Sequence, residues 1–151
     1  MATLICYDES PSAQHSLRAA AGALGNSPAV LLHVWNPPER VLADAFGLRD
    51  DDHDPSYEQL EELVKQRADE VLATGQTLAQ HLGVTVTVRQ ERNRSTIWKT
   101  ILEVADEINA DLIVTGTHGN TAVQSGLLGS VSNALVHNSQ RAVLVVPAGA
   151  P

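Results

Sequence analysis

The chain has 151 residues, enough for one hydrophobic core, and ten Lys plus Arg against eighteen Asp plus Glu give it a formal charge of −8. Because like charges repel, this balance excludes nucleic acid and acidic membrane surfaces as expected partners, but not a small phosphate ligand bound by backbone N–H groups. With a single cysteine, no apolar run near the roughly 18 residues of a membrane span and no signal-peptide pattern, we expect a cytoplasmic protein without an internal disulfide.

The first third of the chain is predicted to form a strand, a helix and a second strand. The apolar run TLICY predicts a buried strand at residues 3–7, in which Cys6 is interpreted as a small hydrophobe rather than a reactive thiol. Ser10 and Pro11 indicate a helix start, and apolar residues at helical spacing continue to Gly25. The run AVLLHVW predicts a second buried strand at Ala29–Trp35.

The connection that follows, residues 36–54, is polar and charged and has no hydrophobic period. It is long for a connection inside a compact domain. Two interpretations remain open: a surface insertion, or a mobile flap that partly covers a ligand.

The rest of the chain continues the alternation of helices and strands. Apolar residues at helical spacing predict a long helix at about 55–82, followed by a strand at 84–90 whose alternating pattern suits a less buried position near an edge. Ser95 is predicted to cap a third helix that runs to about Ile108. Apolar runs then predict a strand at 111–116, a helix at 130–138 and a strand at 142–147.

This alternation predicts an α/β fold in which parallel strands form one open sheet with helices on both faces. We expect one domain over residues 1–151. In such sheets ligands bind outside the carboxyl ends of the strands, where the strand order reverses. The candidate site is therefore sought at Asp8, after the first strand, and at residues 116–132, after the fourth.

The segment GTHGNTAVQSGLLGS suggests a loop that holds phosphate. Gly116 and Gly119 would allow close backbone approach or a positive φ, and Gly129 would clear space before a helix on which Ser130 and Ser132 offer hydroxyl groups. A tight turn followed by an ordinary helix cap is the alternative. No lysine follows Gly129, as it would in a Walker A loop, so the segment favours phosphate binding over fast phosphate hydrolysis.

The segment DLIVTGTHG, followed by nine residues and GSVS, resembles the nucleotide-binding motif G-x2-G-x9-G-[ST] of the universal stress protein family. The resemblance extends through LICYDES, VLLHVW and RAVLVVP over essentially the whole chain. It implies a Rossmann-like, five-stranded parallel sheet in the order 3-2-1-4-5. Asp8 and Gly116 would then face one cleft.

The resemblance further implies that the ligand is ATP or AMP, with or without Mg2+. The nucleoside end would contact Asp8 and Val34, with Cys6 and Tyr7 beside them. Ribose and phosphates would be held by the motif, whose carried-over residues are Gly116, Thr117, His118, Gly119, Gly129, Ser130, Val131 and Ser132. His118 is interpreted either as a phosphate contact or as a solvent-facing loop residue, and His33 as a core histidine. The resemblance assigns no residue as a metal ligand.

One segment departs from the family pattern. Many members carry a glycine before the third helix, whereas this chain has Arg89, Arg92 and Arg94, which would either approach the phosphates or lie on a solvated edge. Trp98 would pack on the core or lie at a subunit contact. The resemblance also implies a homodimer formed through the last strand, consistent with an exposed apolar edge at AVLVV.

The leading functional hypothesis is a regulatory ATP-binding protein of the stress response that acts through an unidentified protein partner. A slow ATPase is one alternative, with Asp8 as metal ligand or base and His118 as acid, although no residue is paired as an activated nucleophile. A family member that binds no nucleotide and acts by protein association is the other. We therefore expect weak hydrolysis or none, and assign no catalytic residue.

Overall fold

The computed structural model describes residues 2–25, 27–38, 55–117 and 128–147. All predicted strands and helices are present in these ranges. The strands are β1 (Thr3–Cys6), β2 (Ala29–Trp35), β3 (Val86–Arg92), β4 (Leu112–Gly116) and β5 (Ala142–Val146). The helices are α1 (Pro11–Leu24), α2 (Pro55–His81), α3 (Ile97–Glu107) and α4 (Ser130–Asn138).

The five strands form one parallel sheet in the order β3-β2-β1-β4-β5. This confirms the predicted α/β fold and its strand order. The central strand, β1, aligns Thr3 with Ala29 of β2 on one side and with Leu112 of β4 on the other. Strands β2 and β3 lie on one side of β1, and β4 and β5 lie on the other. The strand order therefore reverses beside β1, which leaves a crevice at the carboxyl ends of β1 and β4.

Alternate side chains along β1 and Tyr7, the residue after it, point to opposite faces of the sheet and belong to two separate hydrophobic clusters. Ile5 and Tyr7 pack with residues of α1 and α2, whereas Leu4 packs with residues of α3 and α4. Each of these three side chains is at most 4% exposed. A strand buried on both faces explains why apolar residues follow one another from Leu4 to Cys6 rather than alternating with polar ones.

Local hydrogen bonds explain where the helices begin. Ser10 caps α1 as predicted, and its hydroxyl accepts a hydrogen bond from the N–H of Ala13 at 3.1 Å. The prediction that Ser95 caps α3 was wrong, because the cap is Thr96, whose Oγ1 accepts from the N–H of Lys99 at 3.4 Å. The N–H of Ser95 instead donates to the Oδ1 of Asn93 at 3.1 Å, which keeps Ser95 in the preceding turn.

The third strand lies two residues later than predicted. The N–H of Val84 donates to the carbonyl of Ala79 at 2.9 Å, so Val84 closes the end of α2 instead of opening β3. Gly83 adopts a φ of 73°, the left-handed conformation typical of a residue just after a helix. As predicted, β3 is less buried than the inner strands, and Val88 is 44% exposed.

Gly75 of α2 lies where the helix packs most closely on the sheet. A Cβ atom there would lie 2.6 Å from Leu31 Cδ2 and 2.8 Å from Tyr7 Cε1. We expect Gly75→Ala to destabilise the protein, because overpacking costs about 1–3 kcal/mol and exceeds the gain in helix propensity of up to about 1 kcal/mol. Gly22→Ala is the matched control, since nothing lies within 4 Å of its Cβ position, and should raise stability. Urea unfolding of both variants measures the contrast; equal effects would contradict it.

Candidate functional site

The loop after β1 carries Asp8 at the carboxyl edge of the sheet. The N–H of Tyr7 donates to the carbonyl of Leu32 at 2.8 Å, and the chain then leaves the sheet. The carboxylate of Asp8 accepts a hydrogen bond from the N–H of Ser10 at 3.0 Å, directly before α1. Asp8 is half-buried. Its carboxylate lies just before α1, at the positive end of the helix dipole, where negative charge is favoured.

Thr117, the residue after β4, joins the end of that strand to the start of α4. Its carbonyl accepts hydrogen bonds from the N–H of Gly129 at 2.7 Å and from the hydroxyl of Ser132 at 3.2 Å. Its own N–H donates to the carbonyl of Val146 in β5 at 3.2 Å. The two ends of the glycine-containing segment are therefore fixed to each other at the carboxyl edge of β4.

The first turn of α4 begins at a glycine. Gly129 is the N-cap, with a φ of −63° and a ψ of 162°, and it provides no side-chain hydrogen bond to the turn. The hydroxyl of Ser132 is 2% exposed and bonds to the carbonyls of Thr117 and Gly129, so it organises the turn, whereas Ser130 is exposed. Within the described residues, the first-turn N–H groups of α4 thus meet no capping side chain and are suited to an anion.

Gly116 is needed by the packing of the protein itself. A Cβ atom at this position would lie 2.3 Å from Ser12 Oγ and 3.1 Å from the Ser12 carbonyl carbon, in the first turn of α1. Gly116 does not adopt a positive φ, so that alternative does not hold. The close contact at this position is with α1, and an approach to phosphate stays a prediction.

The Universal stress protein family matches residues 2–147 of the chain. The chain belongs to the universal stress protein family. It is 30% identical over 148 residues to the universal stress protein A homolog 1 of Coxiella burnetii, which covers 95% of this chain and 93% of that protein. A universal stress protein of Methanocaldococcus jannaschii is 36% identical over 91 residues, or 60% of this chain, and the matched part spans about half (52%) of that relative.

Solved structures of the universal stress protein family share the fold. The universal stress protein of Archaeoglobus fulgidus in complex with dAMP has a TM-score of 0.66 at 21% identity, with 96% of each chain covered. A universal stress protein in complex with cAMP has a TM-score of 0.60 at 20% identity, with 99% of this chain and 98% of that chain covered.

In this universal stress protein the three apolar residues predicted beside the nucleoside lie on different faces of the sheet. Cys6 and Val34 border the core formed with α3 and α4, on the same face as the helix that begins at Ser130. The ring of Tyr7 lies in the opposite core and is 4% exposed, and its hydroxyl donates to Thr74 Oγ1 at 3.1 Å. Only the backbone of Tyr7 can therefore contribute to the crevice.

The surroundings of Cys6 make its thiol a weaker acid than a free thiol. Burial, and secondarily the charge of Asp8, raises the pKa of Cys6 from 9.0 to about 12. We expect iodoacetamide to alkylate the native protein far more slowly at neutral pH than the unfolded chain, because the thiolate is the reactive form. Since the folded thiol ionises at higher pH than the unfolded one, its contribution to stability is full below about pH 9 and is lost between pH 9 and about 12. Equal alkylation rates with and without denaturant would contradict this assignment.

The arginines before α3 form ion pairs at the edge of the sheet. Arg89 pairs with Glu91 at 2.7 Å and also with Glu107, and Arg92 pairs with Glu61 at 3.1 Å. Arg94 is exposed. These contacts agree with the solvated-edge interpretation for Arg89 and Arg92.

Trp98 packs against the core on the α3 and α4 face, and the ammonium group of Lys99 lies 5.5 Å from its ring centre. The core interpretation of Trp98 therefore holds.

Two asparagines at the carboxyl edge were not predicted. Asn93 is 4% exposed; its N–H donates to the carbonyl of Trp35 at 2.8 Å, and its Nδ2 donates to Asn36 Oδ1 at 2.8 Å. They tie the ends of β2 and β3 together. An asparagine directly after each of two neighbouring strands is the signal from which this pair could have been found.

His118 and Gly119 of the motif lie outside the described residues, as does the connection interpreted as a flap apart from residues 36–38. Among the described helices, none has the length and apolar character that crossing a membrane requires.

Proposed function

We propose that this universal stress protein binds an adenine nucleotide, ATP or AMP, at the carboxyl ends of β1 and β4, and that it acts in the cytoplasm as a regulatory module of the stress response. The observation that carries the proposal is the start of α4, where no side chain among the described residues caps the first-turn N–H groups after Gly129 and Thr117 holds that turn against the end of β4. An anion is the natural partner of such a turn.

The charges at the crevice orient the nucleotide. The carboxylate of Asp8 would repel phosphates, whereas it accepts hydrogen bonds well from ribose hydroxyls. We therefore place the nucleoside towards Asp8, Cys6 and Val34, and the phosphates at Ser130 and Val131. His118 and Gly119 would contribute on the phosphate side by family resemblance.

Relatives of the same fold support an adenine nucleotide as the ligand class, since one solved structure is a complex with dAMP and another a complex with cAMP. Among the described residues no three His, Cys, Asp or Glu side chains form a group that could hold a metal ion. We propose that Mg2+ is held chiefly by the phosphates of ATP, as is common for this ion.

Titration calorimetry with ATP, AMP and GTP tests the proposal. We expect saturable binding of ATP and AMP and weaker binding of GTP. A protein freed of co-purified nucleotide that binds none of the three would overturn the proposal and favour the family member that acts by association alone.

We extend the proposal to a homodimer formed through β5. This strand is the last of the described sheet, and Leu144 on it is 36% exposed, while Val136 of the neighbouring α4 is 46% exposed. Burying such an apolar edge against a second copy would remove both the open strand and its side chains from water. Light scattering should give the mass of a dimer for the natural protein and of a monomer for Leu144→Lys.

A further inference from the structure

A histidine side chain completes the hydrogen bonding of β1 where the strand ends. The carbonyl of Tyr7, one residue beyond β1, accepts a hydrogen bond from Nδ1 of His33 at 2.8 Å. His33 lies in β2 and is half-buried. The imidazole therefore satisfies the Tyr7 carbonyl at the point where the chain leaves the sheet towards Asp8.

Hydrogen bonds also fix the residues that follow Tyr7. The carboxylate of Asp8 accepts from the N–H of Ser10 at 3.0 Å, and the carbonyl of Glu9 accepts from Nε2 of Gln14 at 3.2 Å. Glu9 has a φ of 69°, which is unusual for a residue other than glycine. A loop held this closely leaves Asp8 little freedom.

A second helix also contacts this loop. The carboxylate of Glu9 pairs with Arg67 of α2 at 2.6 Å, but the side chains are 32% and 59% exposed. Solvent screens an ion pair of this kind, so it contributes little. The half-buried bond from His33 is the stronger constraint, because a carbonyl left without a partner in a buried position is unfavourable.

We propose that His33 is a positioning residue for the nucleotide site: by donating its Nδ1 proton to the Tyr7 carbonyl, it fixes the Tyr7–Asp8 peptide and so aims the Asp8 carboxylate at the nucleoside. This inference rests on the proposed function, since Asp8 matters only if a nucleotide binds there.

The protonation of His33 agrees with this role. Burial lowers the pKa of His33, outweighing the carbonyl of Tyr7 and the charges of Asp8 and Glu9, which raise it; Arg67 lowers it further. The ring is therefore neutral at neutral pH. Because a carbonyl can only accept, the single proton of the neutral ring lies on Nδ1 and leaves Nε2 unprotonated.

Three substitutions at His33 separate the hydrogen bond from the mere presence of a side chain. In His33→Asn the amide nitrogen can occupy the place of Nδ1, whereas in His33→Gln it reaches the level of Nε2. His33→Leu removes the donor. If the position of the donor matters, Asn should retain the function of histidine, and both Gln and Leu should lose it.

Calorimetry then measures the affinity of each variant for AMP and for ATP. We expect His33→Leu and His33→Gln to bind both nucleotides roughly three- to tenfold more weakly, the effect of one hydrogen bond, with the same factor for each because the defect is at the nucleoside end. His33→Asn should match the natural protein. In an Asp8→Ala background, His33→Leu should have no further effect, since the two residues act through one contact.

Amide exchange of the nucleotide-free protein gives an independent measurement. The Ser10 N–H, which donates to Asp8, should be protected in the natural protein and in His33→Asn and exchange faster in His33→Leu and His33→Gln. Unchanged protection or unchanged affinity in His33→Leu would overturn the inference. If the natural protein binds no nucleotide, the proposed function fails, and the Ser10 exchange still decides whether His33 positions Asp8.

Discussion

A Gly129→Val variant is expected to bind ATP at least about tenfold more weakly than the natural protein, because the branched side chain would stand at the start of α4 where the phosphates are proposed to bind. Hydrogen bonds to a charged group contribute about 1.5–3 kcal/mol each, so losing one or more of them gives a factor of this size. The backbone itself tolerates valine, since a φ of −63° and a ψ of 162° are open to any residue.

Calorimetry with ATP and AMP measures the loss, and thermal unfolding shows whether the fold is kept. Valine is a poorer N-cap than glycine, so we expect a loss of stability of about 1 kcal/mol or less. Gly22→Val is a matched control, because it adds the same side chain in open space on α1. If Gly129→Val bound ATP as well as the control, the phosphates could not lie at the first turn of α4.

Gly116→Ala is expected to be the most destabilising of the glycine substitutions described here. Its Cβ would stand 2.3 Å from Ser12 Oγ and 3.1 Å from the backbone carbon and oxygen of Ser12, so relief requires α1 to move and not only a side chain to rotate. Overpacking of this kind costs about 1–3 kcal/mol, and we expect the upper part of that range because a backbone is in the way.

Urea unfolding of Gly116→Ala measures the change in the free energy of unfolding. In Ser12→Ala combined with Gly116→Ala the shortest contact is absent while the two contacts at 3.1 Å remain, so the second substitution should be less destabilising than in the natural background. Gly22→Ala again serves as the control. A loss below about 0.5 kcal/mol, the usual range of surface substitutions, would show that the helix moves easily and would contradict the prediction.

The elements and the sheet could be predicted because apolar runs and helical spacing reflect burial directly. The continuous run TLIC of β1 is buried on both faces, and the end of α1 at Gly25 follows from the residue itself. Boundaries set by a hydrogen bond between distant atoms could not be predicted. Val84 is β-branched, as is typical of a strand residue, yet its N–H donates a hydrogen bond to the carbonyl of Ala79 at the end of α2.

The sequence predicted which residues lie at the carboxyl edge of the sheet, but not what each of them contacts. The aspartate after β1 and the first glycine of the motif lie at that edge, at the ends of neighbouring parallel strands. Packing decides the rest: Gly116 is required by the neighbouring helix, and the ring of Tyr7 turns into the core opposite to Cys6. Which face a residue just beyond a strand occupies, and which helix lies over a glycine, depend on the assembled sheet rather than on any local pattern.

The central place of β1 in the sheet affects how the protein folds as it is synthesised. Its neighbour β2 follows it after one helix, but β4, which aligns Leu112 with Thr3, follows only after β2, α2, β3 and α3. Until α3 and α4 have been made, Leu4 and Leu32, 0% and 1% exposed in the finished protein, have no helices to cover them. The nascent chain therefore exposes one apolar surface until these helices have been made, and a product truncated before α3 should aggregate rather than fold.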